Sequence, residues 1–228
     1  MFQSQYLEQG KALSHAYQAA QPFPHIILDD FIEPNYLKAV KQAALSVSFR
    51  NWFTDHHSHQ VSKYWYPNVW ELPQPASNFL LELNAQPFVS FLEDLTGIPA
   101  LLPDMTYTGG GFHSIFTGGK LGIHADFNYH KKLNLHRRLN ALLFLNEDWE
   151  ENWGGHLELW EKDMSKCAVK ILPIFNRLVI FTVNDDSFHG HPEPLKCPAN
   201  VQRTSIALYY YTAQKESPTP QRYIASWK

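Results

Sequence analysis

The second half of the sequence consists of short apolar runs separated by turn residues. After Pro103, the breaks between the runs carry Gly, Pro, Asn and Asp. No helical periodicity lies between the runs, which favours an antiparallel sandwich or barrel. The predicted strands cover residues 107–116, 122–126, 139–146, 156–160, 168–172, 177–183, 187–191 and 204–211.

The first hundred residues have a different pattern, in which apolar side chains recur at helical intervals. A short strand is predicted at residues 23–28, followed by a helix that begins near Pro34. Residues 84–87 interrupt a later apolar series, so two helical pieces are expected there. Residues 48–75 lack regular periodicity and are predicted to form a loop over the site mouth, which would make them a candidate substrate lid.

Length and composition indicate one folded unit. The chain has 228 residues, with 44% hydrophobic and 18% charged residues, which is a globular composition. No repeat, low-complexity tract or linker separates the two patterns. We therefore predict a single domain over residues 1–228, with a helical support at about 1–100 packed on a strand core at about 103–213. The predicted class is mainly β with flanking helices (α+β).

Charge and cysteine content argue against several kinds of partner. The formal net charge of -3 gives no basic field for nucleic acid or anionic lipid. No segment is long and apolar enough to span a bilayer, and residues 1–5 lack the features of a signal peptide. Two cysteines, Cys167 and Cys197, do not make a disulfide framework, so a reduced, cytoplasmic location is predicted. The oligomeric state stays open.

A short polar motif suggests a metal site within the strand region. His124 and Asp126 are two residues apart, so on a strand both point to one side and can bind one cation. A third ligand must come from elsewhere, and His189 and His191 are both candidates. Two imidazoles and one carboxylate on one face of an octahedron are typical of non-heme iron(II). The structural alternative is a histidine hydrogen-bonded to an aspartate at a strand end.

A basic residue stands at the head of the last strongly apolar strand. By alternation Arg203 and Ser205 share one face with Ala207, Tyr209 and Tyr211. A buried guanidinium needs a partner, and beside a small hydroxyl it suits a carboxylate ligand. The alternative is a structural ion pair with a nearby acidic side chain.

Residues 55–59 contain three histidines, His56, His57 and His59, in a polar, turn-like run. Such a cluster can bind metal, but its composition favours a solvated loop. Gly154 and Gly155 are predicted to permit a tight turn and to have no chemical role.

Taken together, the motifs resemble the iron(II)- and 2-oxoglutarate-dependent dioxygenases of the prolyl 4-hydroxylase-like group. The resemblance covers roughly residues 105–213, with weaker support near residues 23–32. It implies a double-stranded β-helix, that is, a cupin-like jelly roll with flanking helices. The segments that carry the resemblance are 122–128, 138–140, 145–149, 154–159, 189–192 and 203–205.

The resemblance implies roles for particular residues. His124, Asp126 and His189 correspond to the catalytic metal ligands, and Arg203 to the residue that pairs with the far carboxylate of 2-oxoglutarate. His191 occupies a position at which the family has an apolar residue, so it is a departure. Further implied contacts with the cosubstrate are Ser205, Tyr107 and Asn128. Candidate substrate contacts are His191, Arg138 and Trp65. Trp65 lies in the aromatic, histidine-rich stretch 50–70 that is predicted to select the substrate, and a solvated or scaffold role is the alternative for Arg138.

The implied activity is hydroxylation of a substrate, with Fe(2+) as cofactor, 2-oxoglutarate and O2 as cosubstrates, and ascorbate as a reductant. Succinate and CO2 are the coproducts, and the carboxylate of Asp126 argues against the halogenating relatives. The substrate stays open among a peptidyl proline, an amino acid, a sugar and a natural product, that is, a small molecule or a peptide.

Two other functions compete with this one. A cupin-like metal-dependent enzyme that does not use 2-oxoglutarate would not need Arg203. A non-catalytic jelly-roll binding module would not need a complete ligand set, and both His124 and Asp126 are present.

Overall fold

The computed structural model describes residue 2, residues 4–214 and residues 221–227. Its helices are α1 (Ser4–Glu8), α2 (Gly10–Ala19), α3 (Pro34–Leu45), α4 (Ala76–Leu83) and α5 (Gln86–Thr96). Its strands are β1 (His25–Leu28), β2 (Phe53–Thr54), β3 (Gln60–Tyr66), β4 (Leu102–Pro103), β5 (Gly111–Ala125), β6 (Tyr129–His130), β7 (Leu135–Phe144), β8 (Leu157–Trp160), β9 (Cys167–Ile171), β10 (Leu178–Thr182), β11 (His189–His191), β12 (Gln202–Thr212) and β13 (Ser226–Trp227). The signal-peptide prediction rests partly on Met1 and Gln3, which lie outside the described residues.

All strand pairs in the described chain are antiparallel and belong to one curled sheet, the jelly roll that the resemblance implies. The strand order is β1-β10-β7-β12-β5-β11-β8-β9. β3 and β13 also pair with β5, while the short strands β2, β4 and β6 pair with β3, β12 and β7. The long β5 therefore pairs with β12 and β3 in its first part and with β3, β11 and β13 in its second part, and it connects the two halves of the order.

β12 shows how the two faces of the sheet differ. Ile206, Leu208 and Tyr210 belong to the large core that the sheet shares with the helices. The alternate residues 203, 205, 207 and 209 line a cavity on the opposite face. The predicted alternation of this strand is therefore confirmed, and it separates an apolar face from a polar one.

The helices close the outer, apolar face of the sheet. At the start of α3 the Glu33 carboxylate accepts hydrogen bonds from the backbone N–H groups of Asn35 and Tyr36, which caps the helix. The predicted break between two later helices is confirmed, since α4 ends at Leu83 and α5 begins at Gln86. None of the helices in the described residues has the length and apolar composition that crossing a bilayer requires.

Two expectations about strands and loops were wrong. Residues 111–125 form one continuous strand, not the two predicted at 107–116 and 122–126. Residues 60–66, expected in a loop, form β3 and pair with β5. The hydrogen-bond partners of β3 lie about fifty residues further along the chain, so local periodicity could not reveal them.

A β-bulge in β7 changes which arginine faces the cavity. Leu139 pairs with Tyr210 and Arg137 pairs with Tyr211, so Arg138 is the extra residue of a bulge in the register. A bulge reverses the side on which the following residues point. Arg137 consequently faces the site, whereas Arg138 donates a hydrogen bond to Thr212 near α5.

Candidate active site

Three candidate metal ligands converge at the end of β5. His124 Nε2 lies 3.5 Å from Asp126 Oδ1, and His189 Nε2 lies 3.5 Å from Asp126 Oδ2. One ligand atom from each residue lies within 4.8 Å of the others. His189 is brought there by β11, which pairs antiparallel with β5 so that His189 lies opposite His124. Strand pairing therefore joins two motifs that are distant in sequence.

Both imidazoles are oriented for metal binding. His124 Nδ1 lies 2.9 Å from the Gly122 carbonyl oxygen, and His189 Nδ1 lies 3.0 Å from the Ser187 carbonyl oxygen. A carbonyl oxygen only accepts, so Nδ1 carries the proton and Nε2 presents its lone pair to the site. Burial, together with the nearby His124, lowers the pKa of His189 to about 4 and keeps its ring neutral. This donor set fits a divalent cation.

The Asp126 carboxylate is fixed by two side chains of β7. Asn140 Nδ2 and Arg137 Nη2 donate to Asp126 Oδ2 at 2.6 and 3.0 Å. The guanidinium of Arg137 lies between the rings of Phe127 and Tyr209, at 4.6 and 3.4 Å from their centroids. Burial disfavours the charged carboxylate, but Arg137 and the two imidazoles outweigh it and hold the pKa of Asp126 well below its usual value. Asp126 is therefore an anion with a fixed orientation.

Arg203 has no protein carboxylate as a partner among the described residues. Its Nε donates a 2.7 Å hydrogen bond to the Gly155 carbonyl oxygen, and the guanidinium lies 4.9 Å from the Phe144 ring centroid. Burial lowers the pKa of Arg203 to about 9. A buried cation without a counter-ion calls for an anionic ligand. Gly155 thus has a contact that the sequence analysis did not assign to it.

A cavity of about 80 Å³ joins these groups. The three candidate metal ligands form part of its wall, and Arg203 and Ser205 form another part. Asp126 is the one acidic residue among the described residues that line it. A diacid that bound the metal through one end and Arg203 through the other would therefore meet no competing carboxylate there.

Two predicted cosubstrate contacts lie outside this cavity. Tyr107 belongs to the core shared with the helices, and its hydroxyl donates to the Leu80 carbonyl oxygen. Asn128 Nδ2 donates to Asp185 at 2.8 Å, and its Oδ1 accepts from the Arg222 N–H. Neither residue lines the cavity, because β5 begins after Tyr107 and ends before Asn128.

The predicted substrate contacts fall in three different places. His191 lines the cavity, and both of its ring nitrogens are buried without a hydrogen-bond partner among the described residues. Trp65 stacks on the exposed Phe53, with ring centroids 6.0 Å apart, on the β2–β3 hairpin. Arg138 points away from the cavity because of the β7 bulge.

The histidines at residues 55–59 belong to the turn between β2 and β3. They are not part of the metal-ligand cluster found among the described residues. His57 and His59 instead pack against the Trp227 ring, with centroids 5.0 and 5.4 Å away. The solvated-loop interpretation describes the exposed His56 and does not describe the other two.

Several residues at the site belong to no motif in the sequence. Lys63 and His113 line the cavity, and no motif had marked them. Arg222 donates from Nε and Nη2 to the Asp126 carbonyl oxygen. Trp227 pairs with His124 through β13, and the two ring centroids are 4.6 Å apart. Alternation along β3 is the one sequence signal that could indicate that Lys63 shares a strand face with Trp65. Nothing in the sequence relates the C-terminal segment to β5.

A family model described as the 2OG-Fe(II) oxygenase superfamily matches residues 110–211. Within that segment the chain is similar to this superfamily. The matched segment runs from the start of β5 to β12 and contains the candidate metal ligands together with Arg203. Iron(II), 2-oxoglutarate and O2 are the cofactor and cosubstrates of the superfamily.

Known proteins resemble this chain in sequence and in fold. Prolyl 3-hydroxylase OGFOD1 of Mus musculus is 27% identical over 195 residues, which are 83% of this chain and 33% of the relative. The chain thus spans about a third of the length of that curated relative.

Solved structures share the fold at low sequence identity. A Trichoplax adhaerens prolyl hydroxylase, in complex with a hypoxia inducible factor peptide fragment, superposes with a TM-score of 0.66 at 17% identity, over 92% of each chain. HygX from Streptomyces hygroscopicus, with nickel, 2-oxoglutarate and hygromycin B bound, superposes with a TM-score of 0.59 at 9% identity, over 88% of this chain and 86% of that one.

Proposed function

We propose that this chain is an iron(II)- and 2-oxoglutarate-dependent hydroxylase. The observation that carries the proposal is one cavity with two unlike anchors. Two neutral imidazoles and a fixed carboxylate lie at one end, and Arg203, a guanidinium without a protein counter-ion, lies at the other. A cupin-like enzyme without 2-oxoglutarate, or a non-catalytic module, gives no reason for the second anchor.

In this proposal His124, Asp126 and His189 hold the metal. When bound, iron(II) activates O2 for oxidative decarboxylation of 2-oxoglutarate, which gives succinate and CO2 and hydroxylates the substrate. The carbonyl oxygens of Gly122 and Ser187 keep the two Nε2 lone pairs directed at the ion. These contacts orient the ligands before the ion arrives, which reduces the reorganisation that binding requires.

Arg203 and Ser205 are proposed to bind the far carboxylate of 2-oxoglutarate. Arg203 keeps both of its terminal amino groups for this purpose, because only its Nε is used by Gly155. A guanidinium binds a carboxylate through two parallel hydrogen bonds. Ser205 lies two residues further along β12, on the same face, where its hydroxyl can donate to the same group.

The proposed substrate is a peptidyl proline. The similarity to a curated prolyl 3-hydroxylase and to a prolyl hydroxylase with a bound peptide supports this class. The Phe53–Trp65 pair adds support, because Trp65 pairs with His113 of β5, a residue that lines the cavity. Aromatic faces suit the apolar ring of proline.

A test of the proposed function measures cosubstrate turnover. The iron(II)-loaded protein, given 2-oxoglutarate and O2, should form succinate, and a panel of proline-containing peptides should include one that increases the rate. The stimulating peptide should gain one oxygen atom, which mass spectrometry with labelled O2 would detect. An aminocyclitol antibiotic panel provides the comparison, since one structural neighbour was solved with hygromycin B.

Binding without turnover separates this proposal from its alternatives. Calorimetry without O2 should show 2-oxoglutarate bound to the iron(II)-loaded protein and not to the metal-free protein treated with chelator. Absence of binding to the metal-loaded protein would exclude the proposed activity and favour an enzyme that does not use this cosubstrate. Repeating the turnover assay with and without ascorbate tests the predicted reductant.

We further propose that residues 1–228 act as one domain in a reduced, cytoplasmic setting. The large hydrophobic core contains residues of the helices and of the sheet, which supports one folding unit. Cys167 and Cys197 are both free thiols, which is compatible with a reducing compartment. Limited proteolysis that released a stable fragment ending near residue 100 would contradict the single domain.

A further inference from the structure

Lys63 is a lysine in the wall of the cavity that the proposed function leaves without a role. It lies on β3 and lines the cavity together with Arg203 and Asp126. Its ammonium group makes no hydrogen bond or ion pair with any described residue. An ammonium kept from water without a counter-ion destabilises the protein unless a ligand supplies the missing charge.

The strand register places Lys63 beside Arg203. On one side of β5, Ile115 pairs with Lys63 of β3, and on the other side it pairs with Arg203 of β12. Residues directly opposite one another in antiparallel strands point to the same face. Lys63 and Arg203 thus flank Ile115 in one row, with Cα atoms about 10 Å apart because neighbouring strands are about 4.8 Å apart. Both are long side chains that can reach the space above Ile115.

The charges around Lys63 agree with this position. Burial lowers the pKa of Lys63 to about 8, and the positive charge of Arg203 acts in the same direction. Asp126 opposes this lowering, so Lys63 also lies within the field of the metal-ligand end. Asp126 itself is already paired with Arg137 and Asn140. The cavity therefore holds two cations, Lys63 and Arg203, for which the described residues supply no anion.

His191 is a third group in this part of the cavity without a partner. Its two ring nitrogens are buried and unbonded among the described residues. Burial and the charges of Arg203 and Lys63 hold its pKa well below the usual value, so the ring is neutral. A neutral imidazole still has one N–H to donate. Arg203, Lys63 and His191 therefore offer N–H donors to the same part of the cavity. This arrangement suits an anion, which would accept hydrogen bonds from them.

We propose that Lys63 is a second cationic anchor for the far carboxylate of 2-oxoglutarate, which it shares with Arg203. This inference rests on the proposed function and adds a binding residue to it. A carboxylate above Ile115 would accept from the Arg203 guanidinium on one side and from the Lys63 ammonium on the other. Each carboxylate oxygen has lone pairs enough for both donors.

The test compares two ligands that differ only at the far end. 2-Oxopentanoate has the keto acid of 2-oxoglutarate and a methyl group in place of the far carboxylate. Calorimetry of the iron(II)-loaded protein without O2 gives the affinity ratio, defined as the affinity for 2-oxoglutarate divided by the affinity for 2-oxopentanoate. In Lys63→Met this ratio should fall about 10- to 100-fold, as expected for loss of a charge-assisted hydrogen bond. The affinity for 2-oxopentanoate should stay within about threefold of the wild-type value.

Two further variants control for charge and for folding. Lys120→Met removes a lysine from β5 that faces a different cavity, and it should leave the ratio unchanged. Lys63→Arg retains the positive charge, so its affinity ratio should lie between those of Lys63→Met and the wild-type protein. Lys63→Met replaces an unpaired cation with an apolar side chain of similar length, so the metal-free variant should unfold at no lower temperature than wild type.

The outcomes distinguish the inference from the proposed function. If wild-type protein binds 2-oxoglutarate and Lys63→Met leaves the ratio unchanged, or weakens both ligands equally, Lys63 does not bind the far carboxylate. If the wild-type protein binds neither ligand, the proposed function fails and this inference fails with it. A drop in the ratio confined to Lys63→Met, with recovery in Lys63→Arg, supports the shared anchor.

Discussion

Arg137 Nη2 donates a 3.0 Å hydrogen bond to Oδ2 of Asp126. Asn140 Nδ2 donates to the same oxygen at 2.6 Å. Oδ1 carries neither hydrogen bond and lies on the side of His124. The two donors therefore hold one oxygen of the carboxylate and fix its orientation beside the two imidazoles.

This arrangement predicts that the donors control metal affinity. Asn140→Ala and Arg137→Met should each weaken metal binding about 10- to 100-fold, because outer contacts orient the ligand and fix its charge. Equilibrium titration of the metal-free protein with Mn(II) measures the loss. Arg138→Met is a matched control. Arg138 is the next residue along β7 but points away from the cavity, so its replacement should leave the metal affinity unchanged. Equal effects in Arg137→Met and Arg138→Met would argue against the orienting role.

Arg203→Ala should separate the two anchors of the proposed site. The variant should lose at least about 100-fold in affinity for 2-oxoglutarate, because the guanidinium has no other function in the cavity than to bind an anion. Metal affinity should stay close to the wild-type value, since Arg203 contacts none of the candidate metal ligands. Calorimetry gives both numbers on one sample. Parallel loss of metal and cosubstrate would mean that Arg203 supports the fold.

Gly155 and Gly154 offer a matched pair for testing the support of Arg203. Both have positive φ, of +70° and +72°, so an alanine strains the backbone at either position. A Cβ at Gly155 would lie 2.5 Å from Leu195 Cδ2 and 3.0 Å from Arg203 Cδ, whereas nothing lies within 4 Å at Gly154. Gly155→Ala should lower 2-oxoglutarate affinity about tenfold and Gly154→Ala should not. Similar affinities in the two variants would leave the Arg203–Gly155 contact without a binding role.

Burial of histidines predicts that the metal-free protein loses stability in mild acid. Burial lowers the pKa of His189 to about 4 and moves the pKa values of His113 and His191 well below normal. Below about pH 6.5 the unfolded chain protonates these rings and the folded chain does not, so the free energy of unfolding falls as the pH decreases. For His189 alone the fall between pH 7.5 and 5 is about 2 kcal/mol. Urea unfolding in the presence of chelator measures it.

A variant tests the origin of that acid sensitivity. His191→Leu removes one buried imidazole whose nitrogens have no partner, so the variant should show a smaller fall between the two pH values. His15 is an exposed residue on α2, and His15→Leu provides the control. A pH dependence that is unchanged in His191→Leu would show that other groups dominate the effect.

Trp227 should report metal binding by fluorescence. Its ring centroid lies 4.6 Å from that of His124, because β13 pairs with β5. A bound Co(II) or Ni(II) ion at the candidate site should therefore quench Trp227 more than the other tryptophans. Trp227→Phe should remove most of the metal-dependent quenching, whereas Trp70→Phe, which alters a side chain that is 84% exposed, should not. Quenching that persists in Trp227→Phe would place the ion elsewhere.

Local sequence patterns accounted for the parts of this protein that depend on near neighbours. The alternation in β12 correctly assigned Arg203 and Ser205 to one face, and the interruption near residue 84 correctly separated α4 from α5. The spacing of His124 and Asp126 predicted that both would leave one side of β5. Each of these properties follows from the two-residue period of a strand or from the turn residues that end a helix.

Long-range pairing decided the rest. The β7 bulge turned Arg137 towards Asp126 and Arg138 away from it, and a bulge is set by the partner strand. The row from Lys63 through Ile115 to Arg203 exists because β3 and β12 pair with opposite edges of β5. The sequence by itself therefore determined which chemical groups were present and on which strand face they stood. Only the tertiary structure determined which of them share a cavity, because contacts between distant strands depend on register and not on local composition.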